Sequence, residues 1–401
     1  MSFSKNLPNA IKILHPNIFP VSGNGSWLTC ITGKTYLDLT SGIGALSTGH
    51  SHHHVIKKVK EQVEQYVHMP QQLFNIHSAS NKLTKNILSI MPHKSLDNIF
   101  YVNSGSEATD NAIKIARSYT KKQNIITMNK GFHGRTYGAL SVTSSNLTCK
   151  KHINPLLSGV YYCDINDIDS FKNILDFQTS PDEVACVIYE PVQGEGGIFS
   201  LKESFLKEIN SICEKNNILT IADEVQCGFG RTGTFWNIEQ KKVIPDILTF
   251  GKGIASGFPL AGVVTKTEIM DNIGTNFLGG TYGGNAISCA AANGTIDVMY
   301  MENILNNVFL KSQLLRKELI NIPCIKSLRI NGLMVGIEFF FSQENPQKVM
   351  EIVKKMNEKG ILILTCGNKS QYIRLLPPLN IGNLEIEVFL ENFREIVNDI
   401  C

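Results

Sequence analysis

Lys252 stands between two glycines, in Phe250-Gly251-Lys252-Gly253-Ile254-Ala255-Ser256-Gly257, directly after the apolar run Ile247-Leu248-Thr249-Phe250. The run reads as the end of a buried strand. The glycines leave the amine unshaded and let backbone approach a ligand closely. A primary amine at a strand tip suits condensation with an aldehyde cofactor. Alone, a Gly-Lys-Gly phrase reads more simply as a solvated turn. A second apolar run, Ile218-Leu219-Thr220-Ile221-Ala222, argues for chemistry because it ends in the carboxylate of Asp223. A strand-end amine and a strand-end carboxylate are the two protein groups that pyridoxal phosphate (PLP) needs. The amine holds the aldehyde carbon, and the carboxylate keeps the pyridine nitrogen protonated so that the ring accepts electrons.

The phrases around these residues, Asp223-Glu224-Val225-Gln226-Cys227-Gly228-Phe229-Gly230-Arg231-Thr232-Gly233 and Lys252-Gly253-Ile254-Ala255-Ser256-Gly257-Phe258-Pro259-Leu260, resemble the class III aminotransferases. That family includes the 4-aminobutyrate, ornithine and acetylornithine enzymes. The likeness extends over nearly the whole chain, with several motifs in the family's order. It implies an α/β protein of PLP fold type I and a homodimer.

Other motifs take their roles from this resemblance. Asn103-Ser104-Gly105-Ser106-Glu107 opens a helix whose buried face is Ala108, Ala112, Ile115 and Tyr119, and Ser104 with Glu107 fits a capping box. A glycine at a helix start exposes amides to an anion, which the helix dipole favours. Gly105 and Ser106 match the residues that hold the PLP phosphate. Thr281 matches a hydroxyl that reaches the phosphate from the partner subunit. In Phe132-His133-Gly134-Arg135-Thr136, Phe132 is the candidate to stack on the pyridine ring and His133 is grouped with the cofactor residues. Val225 and Gln226 match contacts to the ring face and the phenolic oxygen. Arg231, in a Gly-rich turn, carries no assigned role.

For the substrate, Arg135 matches an arginine that clamps a carboxylate, a task for a planar bidentate guanidinium. Read from residue type alone, Phe132 is core and Arg135 a surface charge. Glu190-Pro191-Val192-Gln193-Gly194-Glu195-Gly196-Gly197 supplies two carboxylates near the site. The position of Glu195 acts in the family as a gate. It pairs with a C-terminal arginine, here Arg374, and swings away when glutamate or 2-oxoglutarate needs that arginine. The flanking glycines would permit such movement, and a fixed structural ion pair is the competing reading. Ile43 matches an apolar residue over the substrate and suits a methylene chain.

These matches point to transamination of a 4-aminobutyrate-like donor with 2-oxoglutarate as acceptor. Lys252 would serve as base and acid. The alternatives are an acetylornithine or ornithine aminotransferase and, in another class of activity, a class III racemase or epimerase.

The elements that must position these residues are legible in part. Val184 to Tyr189 is a continuous apolar run, Phe205, Leu206, Ile209, Ile212 and Cys213 repeat at helical spacing, and Ile218 to Ala222 follows. Repetition of this β-α-β unit gives a mostly parallel sheet with helices on both faces, its ligands at the carboxyl ends of strands. Val349, Ile352, Val353 and Met356 mark a helix ended by Gly360. Short strands are expected at Ile361–Leu364 and Tyr372–Leu375, then a last helix through Phe389, Phe393, Ile396, Val397 and Ile400. The division that the resemblance implies is an N-terminal segment, 1–48, joining the small domain, a large PLP-binding domain, 49–305, and a small α+β domain, 306–401.

Composition narrows the function classes. A 43% hydrophobic and 18% charged chain of 401 residues with net charge +3 is ordinary for a globular protein. Its scattered Lys and Arg argue against nucleic acid or an anionic membrane as partner. Met1 to Pro20 holds three prolines and no Arg, and reads as neither a secretory nor an organelle-targeting segment, so a cytoplasmic protein is expected. The ten cysteines are dispersed, with Cys186, Cys213 and Cys289 in apolar runs, and read as buried thiols. Cys227 stands where the family commonly has Thr and reads as packing. His50, His52, His53 and His54 lack accompanying Cys, Asp or Glu, so no metal site is expected there, and His53 replaces the family's proline.

Overall fold

The computed structural model describes residue 11, residues 13–71, residue 73 and residues 76–401. The first ten residues, part of the expected N-terminal segment and of the stretch read for a leader, lie outside the described residues. Seven strands form the central sheet: β1 (Asn98–Val102), β2 (Asn124–Met128), β3 (Val160–Cys163), β4 (Val184–Tyr189), β5 (Leu219–Asp223), β6 (Ile247–Phe250) and β7 (Ala261–Thr265). Their order across the sheet is β1-β7-β6-β5-β4-β2-β3. Within it β2 to β6 pair in parallel, whereas β7 runs antiparallel to both of its neighbours. Helices cover both faces, which is why β4, β5 and β6 are buried at every residue and read as unbroken apolar runs. The helix Glu203–Lys215 connects β4 to β5, burying Phe205, Leu206, Ile209 and Cys213.

Glu190 follows β4, Asp223 ends β5, and Lys252 begins a short 3-10 turn just past β6. Three adjacent parallel strands therefore deliver three chemical groups to one edge. The helix Ala286–Met301 is apolar nearly all round because it packs inside, against the helices His53–Val63 and Ser78–Ser89.

A second sheet holds Ile325–Asn331, Met334–Phe339, Tyr372–Leu375 and Leu364–Cys366 in that spatial order, all antiparallel. The helices Pro346–Glu358 and Asn383–Ile400 pack together beside it. The expected strand Ile361–Leu364 is in fact two. Ile361–Leu362 pairs in parallel with Thr35–Asp38, while Leu364–Cys366 turns to pair with Tyr372–Leu375. The residues at both ends are buried, so hydrophobicity runs on while the backbone changes partners.

All ten cysteines are free thiols, and Cys186, Cys213 and Cys289 are buried. Among the described residues no helix is long and apolar enough to cross a membrane.

Candidate active site

A cavity of about 170 Å³ opens at the carboxyl edge of the central sheet. Gly105 and Ser106 line it from a helix start, Phe132 and His133 from the loop after β2, Glu190 from the end of β4, and Asp223, Val225 and Gln226 from the end of β5. Lys252 completes the wall.

The helix Gly105–Thr120 begins on the cavity. Ser104 is its N-cap, accepting from the Glu107 amide at 3.3 Å. The Glu107 carboxylate accepts from the Asn103 amide at 2.7 Å rather than from that of Ser104, so the expected capping box closes one residue early. An α-helix gives its first-turn amides no internal acceptor, and those of Gly105 and Ser106 begin this helix beside the cavity. A Cβ on Gly105 would lie 2.8 Å from Val225 Cγ1, and one on Gly134 would lie 2.2 Å from Ser106 Oγ. These glycines are close-approach sites. Ser106 Oγ also accepts from the Arg135 amide at 3.1 Å.

Asp223, only 4% exposed, accepts through Oδ1 from the Val225 amide at 3.1 Å and from Thr249 Oγ1 at 3.0 Å. Its Oδ2 lies 2.7 Å from His133 Nδ1. Thr249 was not singled out from the sequence, although β5 and β6 pair Asp223 directly with it. The His133 amide is tied to Thr143 Oγ1, and His133 Nε2 is buried with no partner among the described residues. Gln226 Oε1 is likewise buried and unpaired among the described residues. Glu190 accepts from the amides of Phe132 at 2.8 Å and Gly194 at 3.1 Å, and burial pushes its pKa up to about 7. Lys252 has φ 44°, so its backbone is held in the left-handed region. Burial lowers the pKa of its amine, opposed in part by the charge of Glu195.

Glu195 Oε1 lies 2.5 Å from Arg374 Nη1, and Arg374 is 3% exposed. Burial works against the Arg374 charge, and Glu195 raises its pKa beyond the usual value. The glycines around Glu195 differ from the expected hinge. A Cβ on Gly194 would lie 1.8 Å from Gln226 Oε1, one on Gly196 2.8 Å from the Lys130 carbonyl, and one on Gly197 within 2.8 Å of the rings of Phe199 and Tyr372. Close packing accounts for Gly194 and Gly196, and Gly197 adds to it a φ of 130° that disfavours any side chain.

Other expected residues lie outside the cavity wall. Ile43 is exposed, with φ 62°, on a turn whose Gly44 carbonyl lies 3.6 Å from where a side chain on Gly253 would begin. Arg135 and Thr281 are exposed. Arg231 is buried and donates to the carbonyls of Pro377 and Leu333 at 2.5 and 3.1 Å, joining two loops of the C-terminal part. Cys227 packs against Glu224, donating to its Oε2 at 3.1 Å. The histidines do have carboxylates, brought from elsewhere in the chain: His50 meets Asp38, His52 meets Glu302 and His54 meets Asp297, each separately. Among the described residues no three metal-binding side chains converge.

The model of the Aminotransferase class-III family matches residues 10–397. The chain is 37% identical over 382 residues to an acetylornithine aminotransferase of Bacillus anthracis, covering 94% of each. It is 34% identical over 413 residues to a 4-aminobutyrate aminotransferase of Escherichia coli, covering 97% of this chain and 95% of the relative. Among solved structures, an ornithine aminotransferase of Toxoplasma gondii with PLP at partial occupancy in its active site superposes with a TM-score of 0.87 at 27% identity, covering 98% of this chain and 92% of that one.

Proposed function

Because the chain belongs to the class III aminotransferases, which are PLP-dependent enzymes, we propose that it moves an amino group from an ω-amino donor of the 4-aminobutyrate type to 2-oxoglutarate. The residues on the cavity fit the cofactor. His133 Nε2 and Gln226 Oε1 are buried polar atoms awaiting partners, and Gly105 is a cradle that a Cβ would fill. PLP, when bound, supplies an electrophilic aldehyde carbon and a ring that takes up electron density. Gly105 and Ser106 would hold its phosphate at the helix start, with Thr281 of a second copy completing the site in a homodimer. Asp223 would face the pyridine nitrogen, Phe132 and Val225 the ring faces, and Gln226 the phenolic oxygen, with His133 orienting Asp223.

In this reading Lys252 Nζ takes the proton from the amine-bearing carbon of the substrate and later returns one. Burial helps by making its neutral form more accessible. Glu190 binds substrate only indirectly, since both of its oxygens hold backbone amides that set Phe132 and Gly194 in place. Ile43 offers an apolar wall to a methylene chain, and Arg135 clamps the distal carboxylate. The division into 1–48, 49–305 and 306–401, and a cytoplasmic location, belong to the same proposal.

The observation that carries the ω-amino class of donor is the Glu195–Arg374 pair beside Lys252, and within that class the apolar Ile43 favours 4-aminobutyrate. With the pair closed, the site presents a neutral surface to a donor bearing one distal carboxylate. With it open, Arg374 receives the second carboxylate of glutamate or 2-oxoglutarate. Acetylornithine, whose relatives are as similar, is the second reading, since Arg135 and the gate pair serve its single free carboxylate equally. Single-turnover absorbance changes with 4-aminobutyrate, acetylornithine and glutamate test it. In Glu195→Gln the 4-aminobutyrate reaction should slow far more than the glutamate reaction, and Arg374→Ala should do the reverse. Equal losses for both donors in both variants would make the pair structural and refute the gate. A parent enzyme faster with acetylornithine than with 4-aminobutyrate would select the second reading.

A further inference from the structure

We propose that Arg329 is the positioning residue of the Glu195 gate, a clamp that fixes the loop carrying Glu195 against the strand carrying Arg374. The inference rests on the gate reading above and concerns how that gate is held. Arg329 lies on the strand Ile325–Asn331. Its Nε donates to the Gly197 carbonyl at 2.7 Å, and its Nη1 donates to Glu338 Oε2 at 3.0 Å and Ser327 Oγ at 3.1 Å. Its guanidinium carbon is 4.5 Å from the ring centre of Phe199 and 4.7 Å from that of Tyr372. The two rings meet edge to face, 5.9 Å apart.

The sequence positions of these contacts give them meaning. Gly197 and Phe199 follow Glu195 on the gate loop, and Tyr372 precedes Arg374 by two residues on the same strand. One planar cation therefore touches both halves of the gate, through a carbonyl on one side and ring faces on both. Gly197 has φ 130° and no room for a side chain, since a Cβ would strike those same rings. Two more bonds secure the loop: the Gly367 amide donates to the Glu195 carbonyl at 2.8 Å, and Glu190 holds the Gly194 amide. With the backbone fastened before, at and after Glu195, the gate opens by rotation of the Glu195 side chain. The closed pair then re-forms in one place. Arginine is required because a lysine could stack on the rings but could not reach Gly197 and Glu338 at once.

The test uses the full-length, PLP-loaded protein and compares Arg329→Gln and Arg329→Lys with Glu195→Gln. In Arg329→Gln, amide hydrogen exchange across residues 194–198 should accelerate. The apparent affinity for 4-aminobutyrate should weaken about tenfold, the scale of one lost charge-assisted hydrogen bond, while the limiting rate and the glutamate reaction stay within about twofold. Arg329→Lys should fall between parent and Arg329→Gln, and it carries the test if the glutamine variant does not fold. Unchanged exchange at 194–198, or equal losses with both donors, overturns the clamp. If Glu195→Gln is selective and the Arg329 variants are not, the gate stands and this proposal falls. If Glu195→Gln is itself unselective, both fall.

Discussion

Replacing Asp223 with asparagine separates the charge of that side chain from its hydrogen bonds. An amide oxygen in the place of Oδ1 keeps the donors Val225 N and Thr249 Oγ1, now at 3.1 and 3.0 Å. The amide nitrogen, in the place of Oδ2, becomes a donor facing His133 Nδ1 across 2.7 Å. His133 Nδ1 must then accept, which moves the ring proton to Nε2, an atom with no partner among the described residues to disturb. One hydrogen bond is exchanged for another, so the stability cost should be about 1 kcal/mol. What disappears is the carboxylate charge, 4% exposed, that the proposed function sets opposite the ring nitrogen of bound PLP. Electrostatic contacts of this kind are worth about 10²–10³ in turnover, or roughly 2.7–4 kcal/mol. Stopped-flow half-reactions at saturating PLP give the first quantity and denaturant unfolding of the cofactor-free protein gives the second. Turnover within about fivefold of the parent would refute the charge argument, since one decade is worth about 1.4 kcal/mol. Intact turnover with a large stability loss would make Asp223 structural.

Three further outcomes follow from the same geometry. Borohydride reduction of the PLP-loaded protein should leave the cofactor mass on the peptide containing Lys252, and Lys252→Ala should lose transamination; mass on Lys266, or retained turnover, would overturn the assignment. Loading of PLP onto the cofactor-free protein should rise with pH toward a midpoint below that of an ordinary lysine, because burial lowers the Lys252 pKa. Glu195 favours the charged amine, so Glu195→Gln should move that midpoint to lower pH; an upward move would contradict the placement of Glu195 near Lys252. Gly194→Ala places a Cβ 1.8 Å from Gln226 Oε1. It should cost about 1–3 kcal/mol and weaken PLP binding, read by unfolding and by spectral titration. Unchanged PLP affinity would remove Gln226 from the cofactor site.

The central sheet was readable because burial on both faces leaves a strong mark. The strands Val184–Tyr189 and Ile247–Phe250 have the bounds that their apolar runs suggest, and the chemical groups follow them at the strand ends. The hairpin Ile325–Asn331 and Met334–Phe339 was missed, although Asn331-Gly332 between two runs rich in apolar residues is a hairpin signal. Its outer strand is only partly buried and broken by Lys326 and Arg329, which dilutes the pattern. The switch of partners at Ile363 leaves no mark in a sequence, since the pattern of apolar residues records burial and not which strand supplies the hydrogen bonds. The histidines show the same limit from the other side. Asp38, Asp297 and Glu302 reach them from distant segments, so proximity in sequence was no guide to their partners.

The loop around Glu195 shows why a glycine cluster beside a functional residue has two opposite physical meanings. Glycine widens the conformations open to a free chain, and it also admits backbone where no side chain fits. Sequence does not separate the two, because both call for the same residue. The structure does. Each of Gly194, Gly196 and Gly197 has a neighbour closer than a Cβ contact allows, and the segment is bonded through the Gly194 amide, the Glu195 carbonyl and the Gly197 carbonyl. A loop so fastened does not act as a hinge. In the proposed gate the part that would move is the Glu195 side chain, 30% exposed, against an Arg374 side chain that is 4% exposed. The less enclosed partner would be the one to leave, and the buried arginine would stay in place for the substrate carboxylate that the proposal assigns to it. A gate built this way would change the charge seen by the substrate without moving the cavity wall. Gly194 is part of that wall's support, held by the same Glu190 that fixes Phe132, so a swinging loop would disturb the ring contacts each time the substrate changed.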